Sequence, residues 1–170
     1  ADRREIDTII AIELNQPAID IAPLSVSSIG QSLAEGKKAT ASNVYQNNPH
    51  FGAAMAVDGD ETTRWATDAS TGPCWLEVDL GKAGTVDHAL IDECVEWGVR
   101  VSAFELQAKT ANGWQTFYRG KTIGKQHQVQ FEPVTARIVR LNITEGQGGP
   151  TIFEFQLFPP KARKTTGAAP

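Results

Sequence analysis

The chain has 170 residues, 41% of them hydrophobic, with four Trp and seven Phe, which is enough for one globular core and argues against disorder. Its 16 basic residues stand against 20 acidic ones, and outside a short C-terminal stretch no Lys/Arg cluster is offered to a polyanion. Nucleic acid and anionic membranes are therefore poor partners for this chain.

The beginning of the chain is predicted to belong to a neighbouring domain. Residues 7–14 are rich in β-branched residues and end before Pro17, which is typical of a strand followed by a turn. Residues 18–33 carry Pro23 and several Ser without a clear period, so they are interpreted as a connector, with a boundary near Ser32. The expected organisation is a remnant strand and linker at 1–32, the main domain at 33–160, and a disordered tail at 161–170.

The main domain is predicted to be all-β. Leu76, Val78 and Leu80 alternate with acidic residues, and the same period of two recurs at 104–109, as in half-buried strands. Further short strands between turn residues are predicted at 114–118, 127–131, 137–143 and 152–158. This spacing favours a sandwich or barrel, and helix is expected only as a turn or two near 51–57.

The two cysteines, Cys74 and Cys94, are too few for a zinc cluster. They could form one disulfide or remain two separate small hydrophobic side chains, and the sequence leaves both alternatives open.

An acidic loop holds the clearest candidate for a metal site. Carboxylates, hydroxyls and a glycine fall together at 58–63, and such oxygen ligands on a tight loop suit calcium, although a solvated acidic turn has the same composition. Glu154 is a lone carboxylate in an apolar strand, and an unpaired carboxylate is costly to bury. Glu154 therefore either has a cation as partner or faces outward.

Several blocks resemble the discoidin-like domains related to the coagulation factor 5/8 C-terminal modules, and within them the family 32 carbohydrate-binding modules. The resemblance covers about 38–158 and implies a jelly-roll β-sandwich. Its blocks are ATAS at 39–42, AVDGDETTRWAT at 56–67, WLEVDLG at 75–81, FELQ at 104–107, VTARIVRL at 134–141 and FEFQLF at 153–158.

This resemblance implies a structural calcium ion that joins the first loop to the last strand. The implied ligands are main-chain carbonyls of Met55 and Phe153, oxygens of Asp58, Asp60 and Thr63, and the carboxylate of Glu154.

A narrower resemblance concerns residues 87–106, with DECVEWGVRVSAFEL at 92–106, followed by Thr122, Ile123 and Gly124. These residues look like the modules fused behind the catalytic domain of family 29 alpha-L-fucosidases. The resemblance implies an upstream catalytic domain in the same polypeptide, and a periplasmic or extracellular location.

Sugar binding by such a module is expected at loops of one end, where an aromatic ring stacks on a pyranose and polar groups contact its hydroxyls. Trp97 interrupts the strand pattern and is the leading candidate, with a core position as its alternative; Trp65, Trp75 and Trp114 are expected in the core. The other candidates are Tyr45, Asn47, Asn48, Asp68, Glu93, Glu96 and Gln147.

Catalysis by this chain is not expected, because the loop carboxylates are assigned to calcium and no nucleophile or zinc motif is present in the sequence. Three functions stay open: glycan binding that directs the parent enzyme to fucosylated or galactose-containing glycans, a structural module of that enzyme without sugar binding, and adhesion to membranes or proteins. Ala66 follows Trp65 where many galactose-binding members carry His, so the resemblance does not predict that mode of galactose binding.

Overall fold

The computed structural model describes residues 30–68 and 73–161. The predicted strand at 7–14, most of the connector and the tail beyond Lys161 lie outside the described residues. Ser32 is buried and its hydroxyl accepts the N–H of Leu157 at 3.0 Å, so the folded domain includes Ser32.

The described residues form seven antiparallel strands and three short 3₁₀ turns. The strands are β1 (Lys38–Ala41), β2 (Trp65–Ala66), β3 (Cys74–Glu93), β4 (Val101–Thr110), β5 (Gly113–Gly120), β6 (His127–Gly146) and β7 (Thr151–Phe158). Their order in the sheet is β2-β7-β3-β6-β4-β5, with β1 paired to β3. The 3₁₀ turns are Tyr45–Asn47, Pro49–Phe51 and Ala53–Ala56, which confirms that helix is confined to this region.

The long antiparallel pair of β3 and β6 forms the centre of the fold. Phe104 pairs with Ile143 near the end of β6, and its ring lies 6.0 Å from that of His127 at the beginning of the same strand. The two ends of β6 therefore meet across the core, and the sheet closes over the apolar side chains. The largest of these are Trp65, Leu76, Ile91, Phe104, Leu106, Leu141, Ile143, Ile152, Phe155 and Leu157.

The alternation of apolar and polar residues predicted which segments are strands, but it did not predict where those strands begin and end. The structure joins the two predicted segments 127–131 and 137–143 into the single strand β6. Pro133 lies where the register with β3 shifts, between Val86 and His88 of β3, because proline has no N–H for the ladder and is tolerated at such irregularities.

The prediction that three Trp residues lie in the core is correct only for Trp65. Trp65 is fully buried and its Nε1 donates to the carbonyl of Asn43 at 3.0 Å. Trp75 and Trp114 lie partly exposed on the outer face, where the Arg140 guanidinium carbon lies 4.7 and 3.8 Å from their ring centres. The alternation that buries Leu76 necessarily turns Trp75 outward.

Cys74 and Cys94 are both buried and both free, so the unbonded alternative is the one observed. Burial raises the pKa of the Cys74 thiol to about 11, because the low-dielectric core disfavours its thiolate.

A substitution at Gly120 can test how tightly the core is packed around Phe104. A Cβ at Gly120 would overlap the ring of Phe104, which is buried. We expect Gly120→Ala to lower the free energy of unfolding by about 1–3 kcal/mol in urea titrations, because the ring has no free space to enter. Gly30→Ala, at a position with no neighbour within 4 Å of the added Cβ, is the control. Equal stability of both variants would contradict this packing.

Candidate functional site

The first candidate site is an oxygen-rich loop centred on the hydroxyl of Thr63. This hydroxyl lies 3.1 Å from the carbonyl oxygen of Met55, 3.0 and 2.8 Å from the two carboxylate oxygens of Asp58, and 3.1 Å from the carbonyl oxygen of Asp60. A hydroxyl has one hydrogen and can donate it to only one of these four oxygens. The remaining close approaches are between acceptors, an arrangement that a cation would satisfy.

The side chains of the loop also fix its backbone. Asp58 accepts the N–H of Asp60 at 3.0 Å, and Asp60 accepts the N–H of Thr62 at 2.9 Å, which lowers the pKa of Asp60 through its hydrogen bonds with Thr62. Gly59 takes the left-handed conformation, with φ of 80°, that the turn requires. Asp58 and Asp60 therefore shape the loop whether or not they bind a metal.

Glu154 of β7 faces this loop. It is only 2% exposed, and its Oε1 accepts the N–H of Gly59 at 3.1 Å. Burial, followed by repulsion from the nearby Asp58 carboxylate, raises the pKa of Glu154 to about 7. The alternative of an outward-facing Glu154 is therefore wrong.

Phe153 precedes Glu154 at a break in the ladder. Asp92 pairs with Glu154 and Glu93 pairs with Ile152, so the register shift leaves Phe153 without a partner on β3. Such a bulge releases backbone groups from the ladder. The carbonyl of Phe153 is the sixth predicted calcium ligand, and it belongs to a residue that has no pairing partner on β3.

The donor set fits calcium better than a softer metal. Across 30–68 and 73–161, no group of three or more His, Cys, Asp or Glu side chains is placed to hold a metal ion. A metal at Thr63 would therefore depend on carbonyl and hydroxyl oxygens beside the carboxylates, which is a mixture that calcium accepts and zinc does not favour.

The second candidate site is an open cleft of about 330 Å³ between the loops at one end of the sheet. It combines aromatic rings, two guanidinium groups and small polar residues. Its lining consists of Tyr45, Phe51, Arg64, Ala66, Thr67, Trp97, Arg100, Gly148 and Thr151.

Trp97 is the most prominent side chain of this cleft. It is 57% exposed on the loop between β3 and β4, so the alternative of a core tryptophan is wrong. Tyr45, which is 38% exposed, packs edge-on against Phe51 with ring centres 5.7 Å apart. The cleft therefore offers aromatic surface to a ligand at low conformational cost, because ring side chains have few rotamers.

The other predicted sugar contacts lie around the cleft rather than in it. Asp68 is exposed at its edge and accepts the N–H of Gln46 at 3.0 Å. Glu96 and Gln147 are exposed and directly precede the lining residues Trp97 and Gly148. Asn47 is exposed, and Asn48 accepts the N–H of His50 at 3.0 Å, which places it in the turn structure.

The predicted contact between Glu93 and a sugar is wrong. Glu93 is 1% exposed at the end of β3 and lies in no position to meet a sugar. Its Oε1 accepts the N–H groups of Arg100 at 2.6 Å and Val101 at 2.9 Å, and its Oε2 accepts that of Gly124 at 2.8 Å. Glu93 therefore anchors the loop that presents Trp97 and Arg100.

Sequence reasoning did not select Phe51 and Arg64 for the cleft. Arg64 lies next to the acidic loop in sequence, and its guanidinium carbon lies 5.2 Å from the Phe51 ring centre and 5.5 Å from that of Trp97. Its place directly before Trp65 gave no signal for the cleft, because Trp65 and Ala66 of β2 are both buried and show no alternation.

An antiparallel sheet folded over one core, with exposed aromatic side chains on its loops, is the architecture of a β-sandwich module. The chain belongs to the F5/8 type C domain family, whose model matches residues 38–155. The predicted discoidin-like resemblance is thereby confirmed. None of the helices in the described part is long and apolar enough to cross a membrane.

Similar proteins include longer proteins, one of them named a putative alpha-L-fucosidase, and separate modules. A putative alpha-L-fucosidase 1 of Oryza sativa subsp. japonica is 24% identical over 152 residues, 88% of this chain and 29% of the relative. The structure of SpGH29 has 31% identity and a TM-score of 0.70, over 78% of this chain and 28% of that one. The chain thus spans less than a third of these relatives.

Two modules match over almost their whole length. Chitosan-binding module 1 from a chitosanase/glucanase of Paenibacillus sp. IK-5 is 29% identical with a TM-score of 0.67, over 76% of this chain and 99% of the module. The family 32 module of C. perfringens NanJ, solved with galactose, is 23% identical with a TM-score of 0.62, over 75% of this chain and 98% of the module, and shows the fold alone. The chain therefore has the fold of carbohydrate-binding modules, which are non-catalytic domains.

Loss of the Glu93 anchor should loosen the loop that carries Trp97. Glu93→Ala leaves three backbone N–H groups without their acceptor, at a cost of about 1–3 kcal/mol each where they stay buried. We expect a lower urea midpoint and faster hydrogen exchange of amides at 94–101 and at Gly124. Glu96→Ala, exposed on the same loop, should change neither. Unchanged exchange at Arg100 and Val101 in Glu93→Ala would contradict the anchor.

Proposed function

We propose that this chain is a carbohydrate-binding module, stabilised by calcium, that holds a fucosidase-type glycoside hydrolase on its glycan. The observation that carries the proposal is the open cleft in which the exposed Trp97 ring stands beside Tyr45 and Phe51. Pyranose rings have apolar C–H faces that pack on aromatic rings, and the guanidinium N–H groups of Arg64 and Arg100 in the cleft lining suit their hydroxyl groups.

Two similarities support this reading. The module solved with galactose and the chitosan-binding module share the fold over nearly their full length, and the fucosidases match over a portion of theirs. A module tethered to a catalytic domain raises the effective concentration of that domain at a polymer, so even weak sugar binding is useful. An extracellular or periplasmic location belongs to the same proposal.

The calcium part of the proposal rests on the oxygen cluster at Thr63. Met55, Asp58, Asp60 and Thr63 supply oxygens around one position, and Glu154 adds a buried carboxylate beside Asp58. A bound calcium ion would neutralise the repulsion between these two carboxylates and attach the loop to β7. Its contribution would be structural, because the loop and the strand are far apart in sequence and form the site together only in the folded state, so that binding would stabilise that state.

Trp97→Ala should weaken glycan retention at least about tenfold while leaving the thermal unfolding temperature unchanged, because Trp97 is an exposed aromatic contact rather than a core residue. The measurement is a glycan array followed by titration of the best sugar. Val99→Ala, 53% exposed on the same loop and outside the cleft lining, is the matched control. If no glycan binds the unmodified protein, the module is a scaffold for its parent enzyme rather than a targeting domain.

Asp58→Asn should separate calcium binding from folding. Without calcium this variant should melt at the same temperature as the unmodified protein or higher, because it removes a negative charge beside Glu154. With calcium at a hundred times its dissociation constant, the unmodified protein should gain about 2.7 kcal/mol and the variant much less.

The control for Asp58→Asn is Glu132→Gln, an exposed carboxylate elsewhere on the domain, which should keep the full calcium response. Chelator-insensitive melting of the unmodified protein would remove calcium from the proposal and leave the glycan cleft untouched.

A further inference from the structure

The charge of the glycan cleft is opposite to that of the whole chain. The chain has a formal net charge of −4, yet the cleft lining contains Arg64 and Arg100 and no acidic side chain. Both guanidinium groups lie against the same ring, since their central carbons are 5.5 and 5.7 Å from the Trp97 ring centre. Positive charge is therefore concentrated at the aromatic contact surface.

The arginines of the cleft differ from the others in their partners. Of the five arginines at 30–68 and 73–161, Arg119, Arg137 and Arg140 each form an ion pair with a carboxylate. The guanidinium groups of Arg64 and Arg100 have no carboxylate oxygen within 4.0 Å in this same part of the chain, although Glu93 accepts the backbone N–H of Arg100. Among the described residues, the strand arginines are thus paired with carboxylates, whereas the two guanidinium groups of the cleft are not.

The donors of the two cleft arginines are also largely available. Arg100 donates one N–H from Nη1 to the carbonyl of Gly149 at 2.8 Å, which fixes its position. Arg64 has its guanidinium over Phe51 and Trp97 and donates no hydrogen bond to another described residue. A guanidinium carries five N–H donors at its edge, and stacking on a ring face does not consume them.

Acidic groups near the cleft do not cancel this charge. Asp68 and Glu96 are exposed beside it, and the Oδ1 of Asp68 already accepts the N–H of Gln46. Exposed charges at a rim are weakened by water and salt, whereas Arg64 and Arg100 are partly buried beside an aromatic surface of lower dielectric.

We propose that the cleft selects a sugar that carries an anionic group, its ring stacked on Trp97 and its carboxylate or sulfate between the arginines. This inference rests on the proposed glycan-binding function and specifies the ligand class. Guanidinium groups match planar carboxylates and sulfate oxygens with paired, charge-assisted hydrogen bonds. An uncharged hexose would leave both guanidinium charges without a counter-charge.

The test compares sugars that share the galactose ring and differ only in the group at C6, which is anionic in two of them and neutral in the other two. Binding of methyl galacturonoside, its uncharged methyl ester, methyl galactoside and a 6-sulfated methyl galactoside is measured by calorimetry at low and at high salt. We expect the two anionic sugars to bind at least about tenfold more tightly than the two neutral ones, with a difference that shrinks in high salt. The ratio between carboxylate and sulfate then tells which anion the cleft accepts.

Variants assign the effect to the cleft. Arg64→Gln should lower the affinity for the anionic sugars more than the affinity for the neutral ones and so reduce the preference, whereas Arg64→Lys should keep part of this preference. Arg119→Gln, a 73% exposed arginine side chain on β5, is the control for net charge. Equal or tighter binding of the neutral sugars would overturn the inference and leave the glycan-binding function standing. Absence of binding to all four sugars and to the glycan array would overturn both.

Discussion

The first half of β7 is the constraint on which both candidate sites depend. Thr151 lines the aromatic cleft, Ile152 is buried and pairs with Trp65, Phe153 forms the bulge, and Glu154 faces the oxygen-rich loop. Four consecutive residues thus join the cleft, the core and the loop. The bulge is essential here, because a regular ladder would turn every second side chain to the same face and would leave Phe153 engaged by β3.

A pair of acidic residues opposite β7 extends this arrangement. Asp92 accepts the N–H of Gln126 at 2.7 Å and Glu93 accepts those of Arg100, Val101 and Gly124. The end of β3 therefore holds two loops by side-chain acceptors where the strand ladder no longer reaches. Buried carboxylates are costly unless every oxygen has a partner, and for Glu93 the backbone provides these partners.

The all-β class was predictable from the sequence, because a strand buried on one face alternates apolar and polar residues. This alternation is visible in each short segment by itself. Strand lengths were less predictable, since β3 and β6 continue through Gly84 and Pro133 by register shifts that only their mutual pairing defines. The error at Trp75 and Trp114 had a different cause. Their positions within strand segments suggested the core, but alternation places Trp75 outside, and Arg140 covers both rings there.

The two candidate sites differed in how far the sequence could predict them, because one is contiguous in sequence and the other is assembled from separate loops. The oxygen-rich loop is contiguous in sequence, so its carboxylates and glycine were visible together, and only the position of Glu154 needed the fold. The cleft draws on several separate loops. Arg64 could not be related to Trp97 from the sequence, and Glu93 was taken for a surface residue because an acidic side chain next to an exposed loop has no local sign of burial.

Neighbouring residues of one loop serve the two sites. Thr63 belongs to the oxygen cluster, Arg64 reaches Trp97 in the cleft, and the buried Trp65 between the loop and β7 fixes their directions. Because Thr63 and Arg64 are consecutive residues, a change in how rigidly the oxygen-rich loop is held also changes how rigidly Arg64 is held in the cleft. For this reason the calcium and glycan parts of the proposal are physically linked, although each depends on its own side chains.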